Sequence, residues 1–319
     1  MREISFIIKA YNEEKNIAKC IKSIINNTKK YKVEIILVDS ISTDSTINIA
    51  KKFPIKIVQI AKNEDRKCGL APQLGYQLAK GEYIFLIDGD MELIEGFLDK
   101  AILYLKEEPL LAGVNGNIIE MNSHFLKPQK SNKEDTYKEK LHGFGIYKKN
   151  VFKKSGYLTN QNLHGFEEAE LGYRLIREGW GLKSLNIPGV KHYGHQENPY
   201  LILVKKWKRK YLNSQGELIK IFLSEKRIDL IIKNIRVSLL VILFWILLIL
   251  SIVFNVAIVY IIINLIILAI YFFGKNIKQI PYKLFSWHIA TLGLISGLLS
   301  TQIDPKSRIK YKIIKENEK

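Results

Sequence analysis

The stretch Gly81–Asp90, which reads GEYIFLIDGD, constrains the fold of this chain more than any other segment. Its centre, residues 83–87, is an unbroken apolar run of strand-forming residues, as is typical of a strand buried on both faces of a parallel sheet. Asp88 and Asp90 follow at its carboxyl end, separated by Gly89. Ligands bind at that edge of open α/β sheets, and two such carboxylates can share a divalent cation with a phosphate-bearing ligand. Taken alone, however, the pattern fits a solvated acidic turn better.

Hydrophobic patterns elsewhere predict that strands and helices alternate along the first half of the chain. Buried strands are predicted over residues 4–9, 33–38, 55–60 and 83–87. Helical patterns separate them, so we expect an α/β fold with a doubly wound, mostly parallel sheet. Parallel strands share one carboxyl edge, which brings Glu13, Asp39 and the Asp88–Asp90 turn together. Three converging acidic loops indicate a nucleotide site with a metal.

Composition and missing motifs narrow the class of protein. The formal net charge of +18 indicates an anionic partner. Because the basic clusters flank an apolar region, membrane lipids are the better expectation, and no motif for binding nucleic acid is present. No GxGxxG follows the first strand and no GxxxxGKS or GxxxxGKT occurs, which argues against a dinucleotide oxidoreductase and a P-loop ATPase. Cys20 and Cys68 lack metal-ligand spacing and are expected to be reduced thiols, with one disulfide as the alternative.

A second acid-rich segment lies near the middle of the chain. Glu167, Glu168 and Glu170 fall in the first turn of a predicted helix. The helix dipole favours acidic residues there, so helix capping explains the pattern as well as a catalytic role does. Further along, His192 and His195 stand three residues apart. A pair of histidines near a metal crevice suggests metal ligands, whereas a lone histidine is usually structural.

Four motifs, in this order and at this spacing, resemble those of one enzyme family. They are SFIIKAYNEEKNI at 5–17, VDSISTDST at 38–46, LAKGEYIFLIDGDMEL at 78–93 and FEEAELGYRLIREG at 166–179. Over residues 1 to about 200 the chain resembles the family 2 glycosyltransferases, which are inverting enzymes of the GT-A fold that use a nucleotide-sugar donor. The resemblance implies the GT-A form of the α/β sheet and a metal-dependent transfer of a hexosyl group.

The resemblance also implies roles for residues on the donor side. The nucleotide would be bound by Ala10, Tyr11, Glu13, Asp39 and Asp88. Among these, Asp39 would accept a hydrogen bond from the base, and Asp88 would contact the ribose or the metal. Asp90 would hold Mg²⁺ or Mn²⁺ against the diphosphate of a UDP- or GDP-sugar. His192 would be a further metal ligand, with His195 as the alternative.

On the acceptor side, Glu168 takes the general-base position of the family's acidic motif. Its carboxylate would remove the proton of the acceptor hydroxyl as that oxygen attacks the anomeric carbon. The metal would stabilise the departing nucleoside diphosphate. Secondary roles on this side would fall to His164, Glu167, Arg174 and His195.

The chain departs from the family pattern at four places. Lys9 stands where proline is usual, and Gln73 lies in a Pro-Gln-Leu segment where Ala-Arg-Asn is common, which removes a usual basic contact. The base is a glutamate rather than the commoner aspartate. The Gln-x-x-Arg-Trp motif of processive members is missing, and Leu203–Trp207 is the nearest match to it. We therefore expect one sugar to be added per encounter.

The second half of the chain predicts a membrane anchor behind the catalytic domain. The expected divisions are a catalytic domain over 1–200, a basic amphipathic interfacial segment over 201–233, a membrane region over 234–302 and a basic tail over 303–319. Residues 239–273 predict a helical hairpin whose arms are each about long enough for a bilayer of ~30 Å. Residues 284–299 predict an interfacial or re-entrant helix, with a third span as the alternative, because lysines flank both ends. The catalytic domain and the tail would then be cytoplasmic, at the cell membrane.

These features favour a membrane-associated glycosyltransferase that adds one sugar to a hydroxyl acceptor, such as a lipid-linked glycan or a polyprenyl phosphate in cell-surface polysaccharide synthesis. Two alternatives stay open. A sugar-phosphate nucleotidyltransferase uses a related sheet, but residues 1–20 lack its glycine-rich, basic signature. A degenerate membrane scaffold would fit the Pro-Gln-Leu departure, although Asp39, Asp88, Asp90 and Glu168 are all in place. The sequence assigns no oligomeric state.

Overall fold

The computed structural model describes residues 3–63, 66–121, 134–194, 198–273 and 280–316, and for 228–234 it describes the backbone alone. The chain forms two compact units. The first comprises Met1–Gln196 together with Gln302–Lys319, and the second comprises Glu197–Thr301.

The first unit is an α/β domain built on one large sheet. Its strands are β1 (Ile4–Ala10), β2 (Val33–Asp39), β3 (Lys56–Ile60), β4 (Tyr83–Asp88), β5 (Met91–Leu93), β6 (Leu111–Glu120), β7 (Thr136–Tyr137), β8 (Gly145–Lys148), β9 (Gly181–His192) and β10 (Tyr311–Lys315). Its helices are α1 (Ile17–Asn27), α2 (Thr46–Ala50), α3 (Leu70–Leu78), α4 (Phe97–Glu107) and α5 (Glu167–Arg177). The four predicted strands are confirmed within two residues at each end.

The order of strands in the sheet is β10-β3-β2-β1-β4-β8-β6-β9-β5, and β7 pairs with β9. Strands β1 to β4 form the parallel block that the sequence predicts. The strands that extend this block, β8 beside β4 and β10 beside β3, both run antiparallel to it. The complete sheet is therefore mixed, with the parallel block at its centre.

Two hydrophobic clusters cover the two faces of the sheet. One contains the apolar residues of α1 and α4, and the other contains those of α3 and α5, so the sheet is doubly wound as expected. Side chains along β1 alternate between the clusters: Phe6 and Ile8 belong to the first and Ile7 to the second. Helix α3 approaches β1 closely at Gly75, where a Cβ atom would lie 2.3 Å from the Ile7 side chain.

The register of the parallel block decides which side chains meet at its carboxyl edge. Lys9 lies beside Asp88 on β4, and Ala10 lies beside Asp39 on β2. Because Lys9 is two residues beyond Ile7, it lies on the face that carries α3 and α5. Lys9, which stands where the family usually has proline, therefore lies next to the acidic turn of β4 and on the same face of the sheet as α5.

Three other parts of the chain bear on the sequence-based predictions. The histidine segment belongs to the long strand β9 as far as His192, and His195 lies outside the described residues. The polar, lysine-rich composition of residues 123–140 predicts a loop; of these, 123–133 also lie outside the described residues, and Thr136–Tyr137 form β7. The sequence also predicts a short helix over residues 150–154, where the structure has a single 3₁₀ turn over Lys149–Phe152.

The basic tail is not a separate segment. Residues 302–319 group with the first unit, and β10 pairs antiparallel with β3 at the edge of the sheet. The apolar side chains between the lysines explain this position: Ile309 belongs to one core cluster and Ile314 packs against the other. The charge of the tail concealed its strand pattern in the sequence.

The second unit is helical, with α6 (Pro199–Lys208), α7 (Ser214–Ser224), α8 (Ile228–Val253), α9 (Ala257–Phe272) and α10 (Ile280–Leu299). Helices α8 and α9 form the expected pair, joined by a turn in which Asn255 adopts a φ of 56°. Within the described residues, one helix, over Ile235–Val253, is long and apolar enough to cross a membrane, with a mean hydropathy of 2.8. Helix α9 is apolar but shorter.

Candidate functional site

Asp39, which is predicted to bind the base, has a buried carboxylate whose described hydrogen-bond donors all reach the same oxygen. Its side chain is fully buried at the end of β2. The Ser42 backbone N–H and Gln59 Nε2 each donate to its Oδ2 atom at 2.9 Å. No donor among the described residues reaches its Oδ1 atom. A buried acceptor without a partner is costly, so this oxygen fits a ligand that supplies an N–H group.

The loops after β1 and β2 are bonded to each other. Asn12, in the left-handed region with a φ of 56°, donates its N–H to Ser42 Oγ at 2.9 Å and accepts from the Thr43 N–H at 2.8 Å. Next to it, the Glu13 N–H donates to Thr46 Oγ1 at 2.7 Å. These bonds fix the backbone on either side of Asn12. The predicted nucleotide residues Ala10, Tyr11 and Glu13 therefore lie in a preorganised loop beside Asp39.

A guanidinium group accompanies Tyr11. The Arg66 side chain lies over the Tyr11 ring, with its central carbon 3.7 Å from the ring centre, in a cation–π contact. Arg66 was not predicted from the sequence, whereas Gln73 was noted as the position where a basic contact usual in the family is lost. The structure gives Gln73 a different task, because its Oε1 atom accepts the backbone N–H of Leu158 at 2.8 Å.

Lys9 is the cation at the centre of the acidic residues. Its Nζ atom lies 2.9 Å from Asp88 Oδ1, and its side chain is 17% exposed. Burial alone would lower the pKa of Lys9, but the carboxylates of Asp88, Glu167 and Glu168 outweigh burial and raise it well above its usual value. Lys9 is therefore charged throughout the physiological range. Burial raises the pKa of Asp88 against the opposing effect of Lys9, with Asp90 adding to the rise.

Glu167 and Glu168 open α5 and differ in their environments. Burial raises the pKa of Glu167 to about 7, because burial and the neighbouring Glu168 together exceed the effect of Lys9. For Glu168, burial is outweighed by His142, Lys9 and the Gly143 N–H, which lower its pKa below the usual value. Near neutral pH, Glu168 is thus the ionised member of the pair and Glu167 is partly protonated.

Two residues of the loop before β8 position the Glu168 carboxylate. The Gly143 N–H donates to Glu168 Oε1 at 2.8 Å, and His142 Nδ1 lies 3.5 Å from Oε2. The Glu168 side chain is 31% exposed, so it is held in place while a ligand can still reach it. A small cavity beside it is lined by Lys9, Pro72, Leu86, Leu141, Gly143, Phe144, Tyr147, Thr159, Glu167, Glu168 and Leu171.

Asp90 and His192 meet as predicted, and a third residue joins them. His192 Nε2 lies 3.2 Å from Asp90 Oδ2, and His192 Nδ1 lies 2.7 Å from Glu120 Oε2. The interaction with Asp90 is the main cause that raises the pKa of His192 to about 9, and Glu120 adds to it. The strand register explains the meeting, because Glu120 on β6 lies beside His192 on β9.

This group fits a divalent cation only in part. Asp90 offers a carboxylate and His192 an imidazole, and Glu120 is placed as the partner that commonly orients a metal-bound histidine. Among the described residues, no cluster of three or more acidic, histidine or cysteine side chains could hold a metal ion alone. Mg²⁺ and Mn²⁺ sites on phosphate-bearing substrates commonly use one or two protein ligands plus phosphate and water oxygens. Asp90 and His192 are compatible with such a site.

Two of the predicted acceptor-side residues are buried away from solvent. Arg174 is 4% exposed and pairs with Glu170 one turn earlier, at 2.8 Å between Nε and Oε1. It also donates to the Leu158 carbonyl at 2.6 Å, so its contacts are those of a structural residue that ties α5 to the preceding loop. His164 is 7% exposed and lies in that loop, before α5.

The comparisons with known proteins bear on the family and the fold of the sheet domain. The family model for glycosyl transferase family 2 matches residues 5–162, which contain the parallel block and the β4 acidic turn. The chain belongs to this family.

Relatives of this family 2 member include two curated enzymes. It is 29% identical over 206 residues to the dolichyl N-acetyl-alpha-D-glucosaminyl phosphate 3-beta-D-2,3-diacetamido-2,3-dideoxy-beta-D-glucuronosyltransferase of Methanococcus voltae, over 57% of this chain and 64% of that enzyme. It is 28% identical over 227 residues to the poly(ribitol-phosphate) beta-glucosyltransferase of Bacillus spizizenii, over 61% of this chain and 36% of that enzyme. The match thus spans less than two thirds of either relative.

Among solved structures, the family 2 chain is similar to S. aureus TarS 1-349 in complex with UDP-GlcNAc. The TM-score is 0.53 at 17% sequence identity, covering 67% of this chain and 70% of that one. This likeness shows the GT-A fold, which confirms the fold predicted from the sequence.

The sequence did not predict three residues that contact the candidate site residues: Arg66, Glu120 and His142. Glu120 is the last residue of β6, and the carboxyl ends of strands in such sheets often carry site residues. Arg66 and His142 lie in irregular loops. No periodic pattern in such a loop singles out one basic residue as a site residue. Only the path of the chain brings them to Tyr11 and Glu168.

Proposed function

We propose that this protein is an inverting glycosyltransferase that moves one sugar from a nucleotide-diphosphate sugar to a hydroxyl acceptor. The observation that carries the proposal is the state of Glu168. Its pKa is lowered by His142, Lys9 and the Gly143 N–H, its carboxylate is held by Gly143 and His142, and it lines a cavity together with Lys9. A positioned, ionised carboxylate beside a cavity has the properties required of a general base.

In the proposed reaction, Glu168 accepts the proton of the acceptor hydroxyl as that oxygen bonds to the anomeric carbon. The bond from that carbon to the diphosphate breaks in the same displacement, so the configuration inverts and the nucleoside diphosphate leaves. Because the low pKa of Glu168 makes it a weak base, its contribution depends on accurate positioning, which Gly143 and His142 supply. On the donor side, the unpartnered Oδ1 atom of Asp39 would accept an N–H of the base.

Asp90 and His192 would hold Mg²⁺ or Mn²⁺ in this proposal, and Glu120 would orient the imidazole. The bound cation would offset the negative charge that develops on the leaving diphosphate. A ligating imidazole is neutral, so His192 would release the proton that Asp90 and Glu120 now stabilise.

The proposed acceptor is a lipid-linked glycan or a polyprenyl phosphate at the cytoplasmic face of the cell membrane. Three observations support it: the apolar helix over Ile235–Val253, the net charge of +18, and a relative whose name describes a dolichyl-phosphate-linked substrate. Basic segments beside an apolar helix are attracted to anionic membrane lipids. Helix α6, with three lysines in its last turn and Leu201, Val204 and Trp207 exposed, suits the membrane interface.

The test compares Glu168→Gln with Glu167→Gln in the full-length protein. We expect Glu168→Gln to bind donor normally and to lose transfer by about 10²–10⁴-fold, because it removes a general base. Glu167→Gln keeps the charge at Glu168 and should lose less than tenfold. Transfer is followed as release of UDP or GDP from UDP-GlcNAc, UDP-glucose or GDP-mannose, and binding by thermal shift with and without Mn²⁺. A Glu168→Gln protein with wild-type turnover would refute the proposed base.

A further inference from the structure

After its second unit the chain re-enters the first unit as residues 302–316, which we call the return segment. A buried glutamine fixes its path. Gln161, which is 3% exposed, donates from Nε2 to the carbonyl oxygens of Asp304, Pro305 and Ser307 at 3.2, 3.1 and 2.9 Å. Three carbonyls around one amide leave this stretch of backbone little freedom to move.

Asn162 and Gln77 hold the same segment through paired bonds. Asn162 donates to the Ile303 carbonyl at 2.7 Å and accepts from the Ile303 N–H at 2.9 Å. Gln77 on α3 donates to the Ser307 carbonyl at 2.9 Å and accepts from the Ile309 N–H at 3.2 Å. Each amide side chain uses both its donor and its acceptor, so it binds a backbone C=O and a backbone N–H of the return segment at the same time.

Two of the residues that bind the return segment, Gln161 and Asn162, belong to the loop that leads into α5. In this loop Thr159 donates to the Gly69 carbonyl at 2.8 Å, and the Leu163 carbonyl accepts from the Gly69 N–H at 3.0 Å. Thr159 also lines the cavity beside Glu168. The loop is buried, and four residues after Leu163 the chain begins α5. The return segment is therefore bonded to the backbone that delivers Glu168.

The other end of the return segment reaches the donor side. Strand β10 pairs with β3, where Lys312 lies opposite Gln59. Gln59 donates to Asp39 Oδ2 at 2.9 Å. Without β10, β3 would be the edge strand of the sheet. Strand β3, which carries Gln59, the partner of Asp39, is thus paired with β10, a strand that follows the helical unit in the sequence.

We propose that the return segment is a positioning element of the active site, acting on Glu168 through Gln161 and Asn162 and on Asp39 through β3. This inference rests on the proposed function. Neither Gln161 nor Asn162 touches the proposed reacting atoms, so their role is to fix the place of groups that do. Displacing a catalytic group by about 1 Å can cost about 10²-fold in rate.

The test uses full-length variants of both ends of the segment. Gln161→Ala and Asn162→Ala should lower kcat for UDP or GDP release by tenfold or more, with the KM for the donor within threefold. Hydrogen exchange of the amides in 158–168 should rise in both. Ile313→Pro, which interrupts β10, should instead raise the donor KM and weaken binding of UDP or GDP. Ser307→Ala is the matched control, because the segment uses its carbonyl and not its hydroxyl.

A purely stabilising role makes a different pattern. It lowers the melting temperature of Gln161→Ala and Asn162→Ala but leaves kcat and KM per folded molecule unchanged, and that result would overturn the inference. If Asn162→Ala does not fold, Asn162→Asp keeps the acceptor for the Ile303 N–H and is measured in its place. If the wild type turns over no donor, the proposed function fails. The hydrogen exchange of amides 158–168 and the nucleotide affinity of the variants then still show whether the return segment positions the site.

Discussion

Replacing Lys9 by methionine should destabilise the protein in a way that depends on pH. Removing one partner of a fully buried ion pair costs about 3–5 kcal/mol. The Lys9 and Asp88 side chains are 17% and 36% exposed, so water screens part of this effect. We therefore expect a loss of about 1–3 kcal/mol at pH 8, or roughly 2–12 °C in melting temperature at about 2–4 °C per kcal/mol for a domain of this size.

The sign of the pH dependence follows from the carboxylates. In the wild type the folded state raises the pKa of Lys9, so the full stabilising effect of its charge is present below the unfolded pKa of about 10.5. The ion pair with Asp88 is therefore intact at pH 8. In Lys9→Met, Asp88 and Glu167 lose their cation and favour the protonated form in the folded state. Stability then falls as the pH rises through the interval from about 4 to 7 and beyond. The loss should accordingly be smaller at pH 5.5 than at pH 8.

The assay is thermal unfolding of the purified full-length protein at both pH values. Lys30→Met is the control, since Lys30 pairs with Asp99 at 2.6 Å on the surface, with side chains 62% and 42% exposed. It should cost about 0–1 kcal/mol, with little difference between pH 5.5 and 8. Adding Asp88→Asn to Lys9→Met should recover part of the loss. An equal loss at both pH values, or none, would refute the electrostatic role of Lys9.

Further expectations concern the metal and α5. Asp90→Asn should abolish the effect of Mn²⁺ on UDP or GDP affinity, and Glu120→Gln should weaken that effect by about 10–100-fold. Both affinities are measured by titration calorimetry with and without Mn²⁺. A full Mn²⁺ effect in Asp90→Asn would exclude Asp90 as a ligand. Arg174→Met should cost about 3–5 kcal/mol in urea unfolding because it leaves Glu170 buried without its cation, and pairing it with Glu170→Met should restore stability. If Arg174→Met lost turnover but kept its stability, the result would instead support the acceptor-side role that the family resemblance implies for Arg174.

The sequence predicted the parts of the site that lie at the ends of regular strands. Asp39, Asp88 and Asp90 follow apolar runs with a clear period, and parallel strands must share their carboxyl edge, so their convergence follows from local patterns. The place of Glu168 came from the family motif rather than from periodicity. Helix capping explains the same residues equally well from the sequence, and no local pattern predicts that His142 and Gly143 hold the Glu168 carboxylate.

Other features depend on contacts between residues far apart in the chain, which no local pattern records. The pairing of β10 with β3 joins residues separated by most of the chain, and the lysines around Ile313 suggested a solvated tail. Arg174 seemed a site residue because its motif is shared, but burial against Glu170 gives it a structural task. In each case the residue type was visible in the sequence and the environment was not.

The late position of β10 also has a consequence for synthesis of the protein. Strand β3 ends at Ile60 and β10 begins at Tyr311, so about 250 residues are made between them. At about 5–20 residues per second, β3 keeps an open edge for roughly 10–50 s on the ribosome. Open strand edges pair readily with other chains. Nascent chains should therefore be most prone to aggregate before residues 311–315 emerge, and premature termination should yield insoluble protein rather than a soluble, inactive domain.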